Sequence, residues 1–440
     1  MAQATFHFPR GFLWGTATAA HQVEGNNTNN NWYAWEQAGH TVHQSGLACD
    51  WWSGRWREDL DRAMEGGQNA HRFSVEWSRI QPEPDRWDEQ ALDHYHQMLQ
   101  GMYERGITPM VTLHHFSDPL WLSEQGGWEN EAAIGHFVRF VEKVVGALKE
   151  YVNLWCTFNE PNVYAVVGYS MGEFPPGRKG DVRAVMRVLF NMVRAHAAAY
   201  EAIHRLQNTA RVGIALNYRG FVPARPWLPL DVWAAHTQSA IFNHTFPYAL
   251  RDGVFRSLWR RIAVPEAKGT QDYLGVNYYS RDMVAFTPWK PADLFARRFY
   301  RPDALISETG FIAHEPEGMF DALKWGLQFK VPMIVTENGV NDSQDTLRPR
   351  YLVEHVHQVW RAVNFNFPVK GYFYWSLVDN FEWERGWTQR FGLWELDVET
   401  QARRKRPSAD LYAAICRENG LSSEMVAQYA PDALPVLFPE

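Results

Sequence analysis

Two carboxylates offer chemistry. Glu160 ends the run Thr157-Phe158-Asn159-Glu160, and Glu337 lies in Val335-Thr336-Glu337-Asn338-Gly339. Each follows an apolar stretch of strand length, so each is carried to the end of a buried strand. An ionised group there costs desolvation unless it is paired or used. Two facing carboxyl groups suit cleavage of a glycosidic bond: one protonates the departing oxygen, while the other attacks the anomeric carbon or activates water, according to their separation. The two tasks need different protonation states, which the surroundings must set. Asn159 puts an amide beside Glu160, suited to a sugar hydroxyl next to the reacting carbon. Arg72, if it reaches Glu337, holds that carboxylate ionised and nucleophilic.

The elements that must position them follow from the apolar pattern. Eight short apolar runs are separated by longer amphipathic stretches: Phe12 to Ala17, Ala70 to Val75, Thr108 to Leu113, Leu154 to Phe158, Val212 to Leu216, Tyr273 to Val276, Met333 to Thr336 and Gly371 to Trp375. Eight alternating strands close a (β/α)8 barrel, an α/β fold whose sites lie at the C-terminal strand ends. Helices are expected over Asn130 to Tyr151, where Phe137, Val141, Val144 and Leu148 recur at helical spacing, and over Asp181 to Leu206. With no linker or composition shift, residues 1 to 440 are expected to form one domain. Asn26 to Asn31 reads as a surface loop, Arg281 to Thr309 as a loop bearing Trp289, Phe295 and Tyr300, and Ser422 to Glu440, rich in proline, as an irregular surface extension.

All eight strand ends carry polar or aromatic residues: Gln22 with Glu24, Arg72, His114 with His115, Asn159 with Glu160, Asn217, Asn277 with Tyr278 and Tyr279, Glu337 with Asn338, and Trp375 followed by Glu382. For Gln22, Asn217 or Arg72 taken singly, the start of a loop explains the residue as well as a functional role does. His114 and His115 are adjacent and so point apart along a strand, which disfavours a shared metal; one is expected to meet substrate while the other packs. Trp375 and Trp383, the latter in Asn380-Phe381-Glu382-Trp383, are expected at the site, whereas most of the 21 tryptophans belong to the core.

With 46% apolar and 21% charged residues the chain can bury a large core. A net charge of −7 gives nucleic acid or an anionic membrane no reason to bind. Three scattered cysteines fit neither a zinc site nor a disulfide framework and read as reduced, buried thiols. Without a signal-like or membrane-spanning run, a cytoplasmic location is expected. Cofactor and metal are expected to be absent, since no phosphate loop or dinucleotide fingerprint is present. Oligomeric state is not legible.

These residues together resemble glycoside hydrolase family 1, the retaining β-glucosidases and β-galactosidases. The resemblance is carried by Phe12-Leu13-Trp14-Gly15-Thr16-Ala17 with Gln22-Val23-Glu24-Gly25, by Arg72 before Phe73-Ser74-Val75-Glu76-Trp77-Ser78-Arg79-Ile80, and by the two carboxylate motifs. It implies Glu160 as acid/base and Glu337 as nucleophile, flanked by Arg72 and Tyr279. It further implies that Gln22, His115, Asn159, Glu382 and Trp383 hold the glycone, Asn277 supports the acid/base end, and Trp375 forms the floor under the sugar. The implied substrates are small β-glycosides, cleaved with retention by carboxyl groups about 5 to 5.5 Å apart.

Phe116 and Trp387 depart from that pattern and put sugar preference in question. A phosphorylated-sugar specificity is disfavoured because Glu382 and Trp383 stand where that branch seats a phosphate. A thioglucosidase is disfavoured by Glu at position 160, and a non-catalytic sugar-binding relative by the presence of both carboxylates.

Overall fold

The computed structural model describes residues 4–290 and 293–439. Its eight central strands are β1 (Leu13–Ala17), β2 (Ala70–Ser74), β3 (Thr108–Thr112), β4 (Leu154–Asn159), β5 (Arg211–Asn217), β6 (Tyr273–Asn277), β7 (Met333–Asn338) and β8 (Val369–Tyr374). All pair in parallel, and β8 returns to β1 with Gly371 opposite Leu13, closing the barrel. The strands lie within two residues of the apolar runs that announce them. They are legible because a parallel strand covered on both faces is apolar almost throughout.

Two crossover helices show how sequence periodicity becomes packing. Helix α1 (Ala132–Leu148) buries Phe137, Phe140, Val141, Val144, Val145 and Leu148 along one face. Each such side chain contributes roughly 1.5–3 kcal/mol of burial. Helix α2 (Val182–Leu206) starts where Asp181 accepts from the Ala184 amide at 2.9 Å, satisfying a donor that the first turn would leave unpaired.

Three expectations about the periphery need correction. The stretch Arg281 to Thr309 is not simply a loop: Arg281–Phe286 pairs antiparallel with Ala296–Phe299 and in parallel with Gly220–Pro223, making a small sheet outside the barrel. Pro291 and Ala292 within it lie outside the described residues. Asn26 to Asn31 is a loop only partly at the surface: Asn26 and Thr28 are exposed, but Asn27, Asn30 and Asn31 are buried. Asn30 caps the helix Asn31–Gln37, and Asn31 accepts from the Asp118 amide. Beyond Asn419, Gly420–Ser422 pairs antiparallel with Thr5–His7, and the helix Ser423–Tyr429 buries Met425 and Val426. Pro431 and Pro435 start short helical turns, where a missing N–H costs nothing.

Cys49, Cys156 and Cys416 are free and buried. Among the described residues, no helix is long and apolar enough to cross a membrane.

Candidate active site

At the C-terminal end of the barrel the regular pairing breaks where the two carboxylates emerge. β4 slips against β5 between Cys156 and Asn159, and β7 slips against β8 between Val335 and Asn338. Bulges of this kind re-aim side chains. Just past β4, Glu160 adopts a left-handed backbone (φ 44°). Phe116 (φ 68°) and Trp383 (φ 49°) do the same, conformations of order 1–3 kcal/mol that surrounding packing must hold in place. Gly339 follows Glu337-Asn338 because a Cβ there would stand 2.0 Å from the Trp375 carbonyl oxygen. Only glycine allows β7 and β8 to approach so closely.

The strand ends surround a cavity of about 600 Å3. Glu160, Glu337, Asn159 and Tyr279 line it, as do His115, Trp375, Glu382 and Trp383. Arg72, Asn277 and Gln22 stand behind this lining, fully buried.

Arg72 organises the Glu337 side. Its guanidinium donates to Glu337 Oε1 at 2.5 Å, to Asn159 Oδ1 at 2.7 Å and, through Nε, to Thr112 Oγ1 at 3.0 Å. Tyr279 donates its hydroxyl to Glu337 Oε2 at 2.7 Å. Burial pushes the Glu337 carboxyl above its ordinary range, and Arg72 and Tyr279 oppose that rise. The expected Arg72 contact is therefore made, but it works against a desolvation that the contact alone does not reveal. With a donor on each oxygen, the anion is the form that the hydrogen bonds fit.

Glu160 has a different environment. Its Oε1 accepts from two neutral amides, Asn217 at 2.9 Å and Asn277 at 2.8 Å. Burial first, then the Glu337 charge, push its carboxyl up to about 8. Asn277 is itself oriented by Thr336, which donates to its Oδ1 at 2.6 Å, and it also donates to Asn159 Oδ1 at 3.1 Å. One chain of contacts thus runs from Glu160 through Asn277, Asn159 and Arg72 to Glu337.

The remaining residues complete the surroundings of the cavity. His115 Nε2 lies 2.9 Å from Asn159 Nδ2, and its ring stacks near Trp375 and Trp383 with centroids 6.1 and 5.8 Å away. Burial, then Arg72, hold this imidazole neutral, well below its ordinary pKa. Its Nε2 therefore accepts from Asn159, Nδ1 carries the proton, and Nδ1 is buried without a protein partner. His114 turns elsewhere, to Asp118 at 2.9 Å. Gln22 donates to the Phe381 carbonyl at 2.7 Å and to Glu382 Oε2 at 3.3 Å, leaving its own Oε1 buried and unpartnered. Burial and the neighbouring Glu384 push the Glu382 carboxyl up to about 8.

Two residues change standing. Asn217, a strand-end residue that a loop start could explain, holds the Glu160 carboxyl; nothing local marks it, because its partner lies on another strand. Trp387 is absent from the described residues lining the cavity; its indole donates to the Gln44 carbonyl at 3.1 Å and its ring packs on Phe381. Phe116 does line the cavity, edge-on to Trp383 at 5.1 Å.

Removing Arg72 should be costly well beyond activity. Arg72→Ala leaves Glu337 buried without its cation and strips Asn159 of a donor, an expected loss of about 3–5 kcal/mol in denaturant unfolding. A loss under about 1 kcal/mol would mean that Glu337 is less dependent on this pair than the geometry requires.

The family model described as glycosyl hydrolase family 1 matches residues 4–421. Beta-glucosidase A of Thermotoga maritima is 33% identical over 94% of this chain and 98% of its own length. A beta-galactosidase of Sulfolobus acidocaldarius is 30% identical over 95% of this chain and 96% of its own. Among solved structures, a beta-glycosidase from Pyrococcus horikoshii superposes with a TM-score of 0.91 at 37% identity, covering 97% of this chain and 98% of that one. With the closed barrel and the paired carboxylates at its mouth, these likenesses lead to one conclusion: the chain belongs to glycosyl hydrolase family 1.

Proposed function

We propose that this enzyme hydrolyses terminal β-D-glucosides, and β-galactosides and β-fucosides with them, by double displacement with retention. The observation that carries the proposal is the contrast between the two carboxyl groups: Glu337 takes a guanidinium and a phenol, Glu160 only neutral amides. Environments that separate two carboxyls in this way assign the nucleophile and the acid.

In the first step Glu337 attacks the anomeric carbon as the bond to the leaving oxygen breaks, and Glu160 gives that oxygen its proton. Both amides sit on Glu160 Oε1, an arrangement that suits a bare oxygen, so Oε2 carries the proton. The product is a glycosyl ester on Glu337 and a departed alcohol. In the second step the Glu160 carboxylate takes a proton from water, whose oxygen displaces Glu337 and restores both groups. His115 Nδ1–H supplies a donor to a sugar hydroxyl, and Gln22, behind the lining, holds Glu382 through its amide; Asn159, Glu382 and Trp383 complete the grip over the Trp375 floor. Small β-glycosides are thus the proposed partners, and no cofactor enters either step.

Nitrophenolate release from nitrophenyl β-glucoside, β-galactoside, β-fucoside and α-glucoside tests the proposal. Release from the β-glycosides alone is expected. Absence of release from all of them by folded protein would overturn it, leaving the non-catalytic sugar-binding reading.

A further inference from the structure

We infer that the aglycone side of the cavity is built for an alkyl or aryl leaving group and against a second sugar. The inference rests on the proposed role of Glu160: the leaving oxygen must lie at that carboxyl, so the aglycone meets whatever flanks it. There the helix Pro161–Val166 and the following turn Val167–Met171 bring Val163, Val166 and Val167 to the cavity, and the turn Ala240–His244 brings Ile241 and Phe242. Asn162 ties these segments together, donating to the Asn217 carbonyl at 2.8 Å and the Phe242 carbonyl at 3.1 Å. The three valines and Phe242 are only half-buried, so a concave apolar surface borders the acid.

Such a wall offers a second glucose little. Hydroxyls pressed against it give up water without finding partners. Several polar groups elsewhere around the cavity are engaged with one another, Arg219 gripping both Asp282 oxygens at 2.6 and 3.0 Å and Gln238 donating to the Asp293 carbonyl at 2.9 Å, while Ser170, Glu173 and Arg298 also line it. A hydrocarbon, by contrast, gains from each methylene that the wall covers.

The test is kcat/KM for glucose release from methyl, butyl, hexyl and octyl β-glucosides and from cellobiose, with nitrophenyl β-glucoside as a control. The expected result is a rise of about fourfold per methylene, equivalent to the ~0.8 kcal/mol of a buried CH2, until the alkyl chain outgrows the wall. Cellobiose should fall at least roughly tenfold below the hexyl glucoside, through hydroxyls left unmatched. Val167→Asn should flatten the series. A series already flat in the unaltered enzyme, or cellobiose at or above hexyl glucoside, would overturn the inference. If the control is hydrolysed in that case, only the aglycone assignment falls; if the control is inert too, the proposed function falls with it.

Discussion

Glu337→Gln is expected to abolish hydrolysis of every β-glycoside while the protein stays folded. An amide has the size of a carboxylate, and its carbonyl oxygen still accepts from Arg72, while the Tyr279 hydroxyl can accept from its NH2 group. What disappears is the nucleophile: an amide oxygen does not form the glycosyl ester at a useful rate. The expected fall in nitrophenolate release is at least ~10^4-fold, about 5 kcal/mol of transition-state stabilisation. The thermal midpoint, measured alongside, separates this from unfolding. A folded variant keeping a tenth of the activity would remove Glu337 from the reaction.

The contrast with Arg72 is informative, because the two residues share one bond and differ in what their loss does. Arg72 is wholly buried and bridges β2, β3, β4 and β7 through Thr112, Asn159 and Glu337, so its removal is felt by the fold. Glu337 ends that network at the cavity, where an isosteric change is absorbed. Stability and chemistry therefore separate along the same chain of hydrogen bonds.

Residues whose signal is local are legible in the amino-acid sequence alone. The barrel strands announce themselves as apolar runs, and Glu160 and Glu337 as charges ending such runs. Residues whose signal is a contact made elsewhere are not. Asn217 is one amide among many until β5 is laid beside β4, and Thr336 becomes informative only beside Asn277. The sheet outside the barrel is hidden because Gly220–Pro223 and Ala296–Phe299 are four residues each, too short for alternation to show. The C-terminal stretch misleads for a different reason. Its prolines suggest irregular chain, yet they open turns, and burial of Met425, Val426 and Leu437 decides the packing. Trp387 draws attention by its type alone, and the direction of its side chain takes it off the cavity wall.

Glu160→Ala should be read by leaving group rather than by overall loss. An alkoxide is a poor leaving group and needs its proton in the transition state, so alkyl glucosides are expected to lose ~10^2–10^4-fold in kcat/KM. A dinitrophenolate needs little protonation, so cleavage of its glycoside should be nearly unchanged, with turnover then limited by the second step, where the base is missing. The pH profile gives an independent check. Burial and the Glu337 charge raise the Glu160 carboxyl to about 8, so its acid form is present below that pH and is lost above it. In the unaltered enzyme kcat/KM for an alkyl glucoside should therefore fall on the alkaline side of about 8, while on the acid side it falls as Glu337 becomes protonated. In Glu160→Ala the alkaline limb should vanish and the acid limb remain, because only one of the two groups has been removed. Equal losses across leaving groups, or an alkaline limb that persists, would assign the acid to another residue.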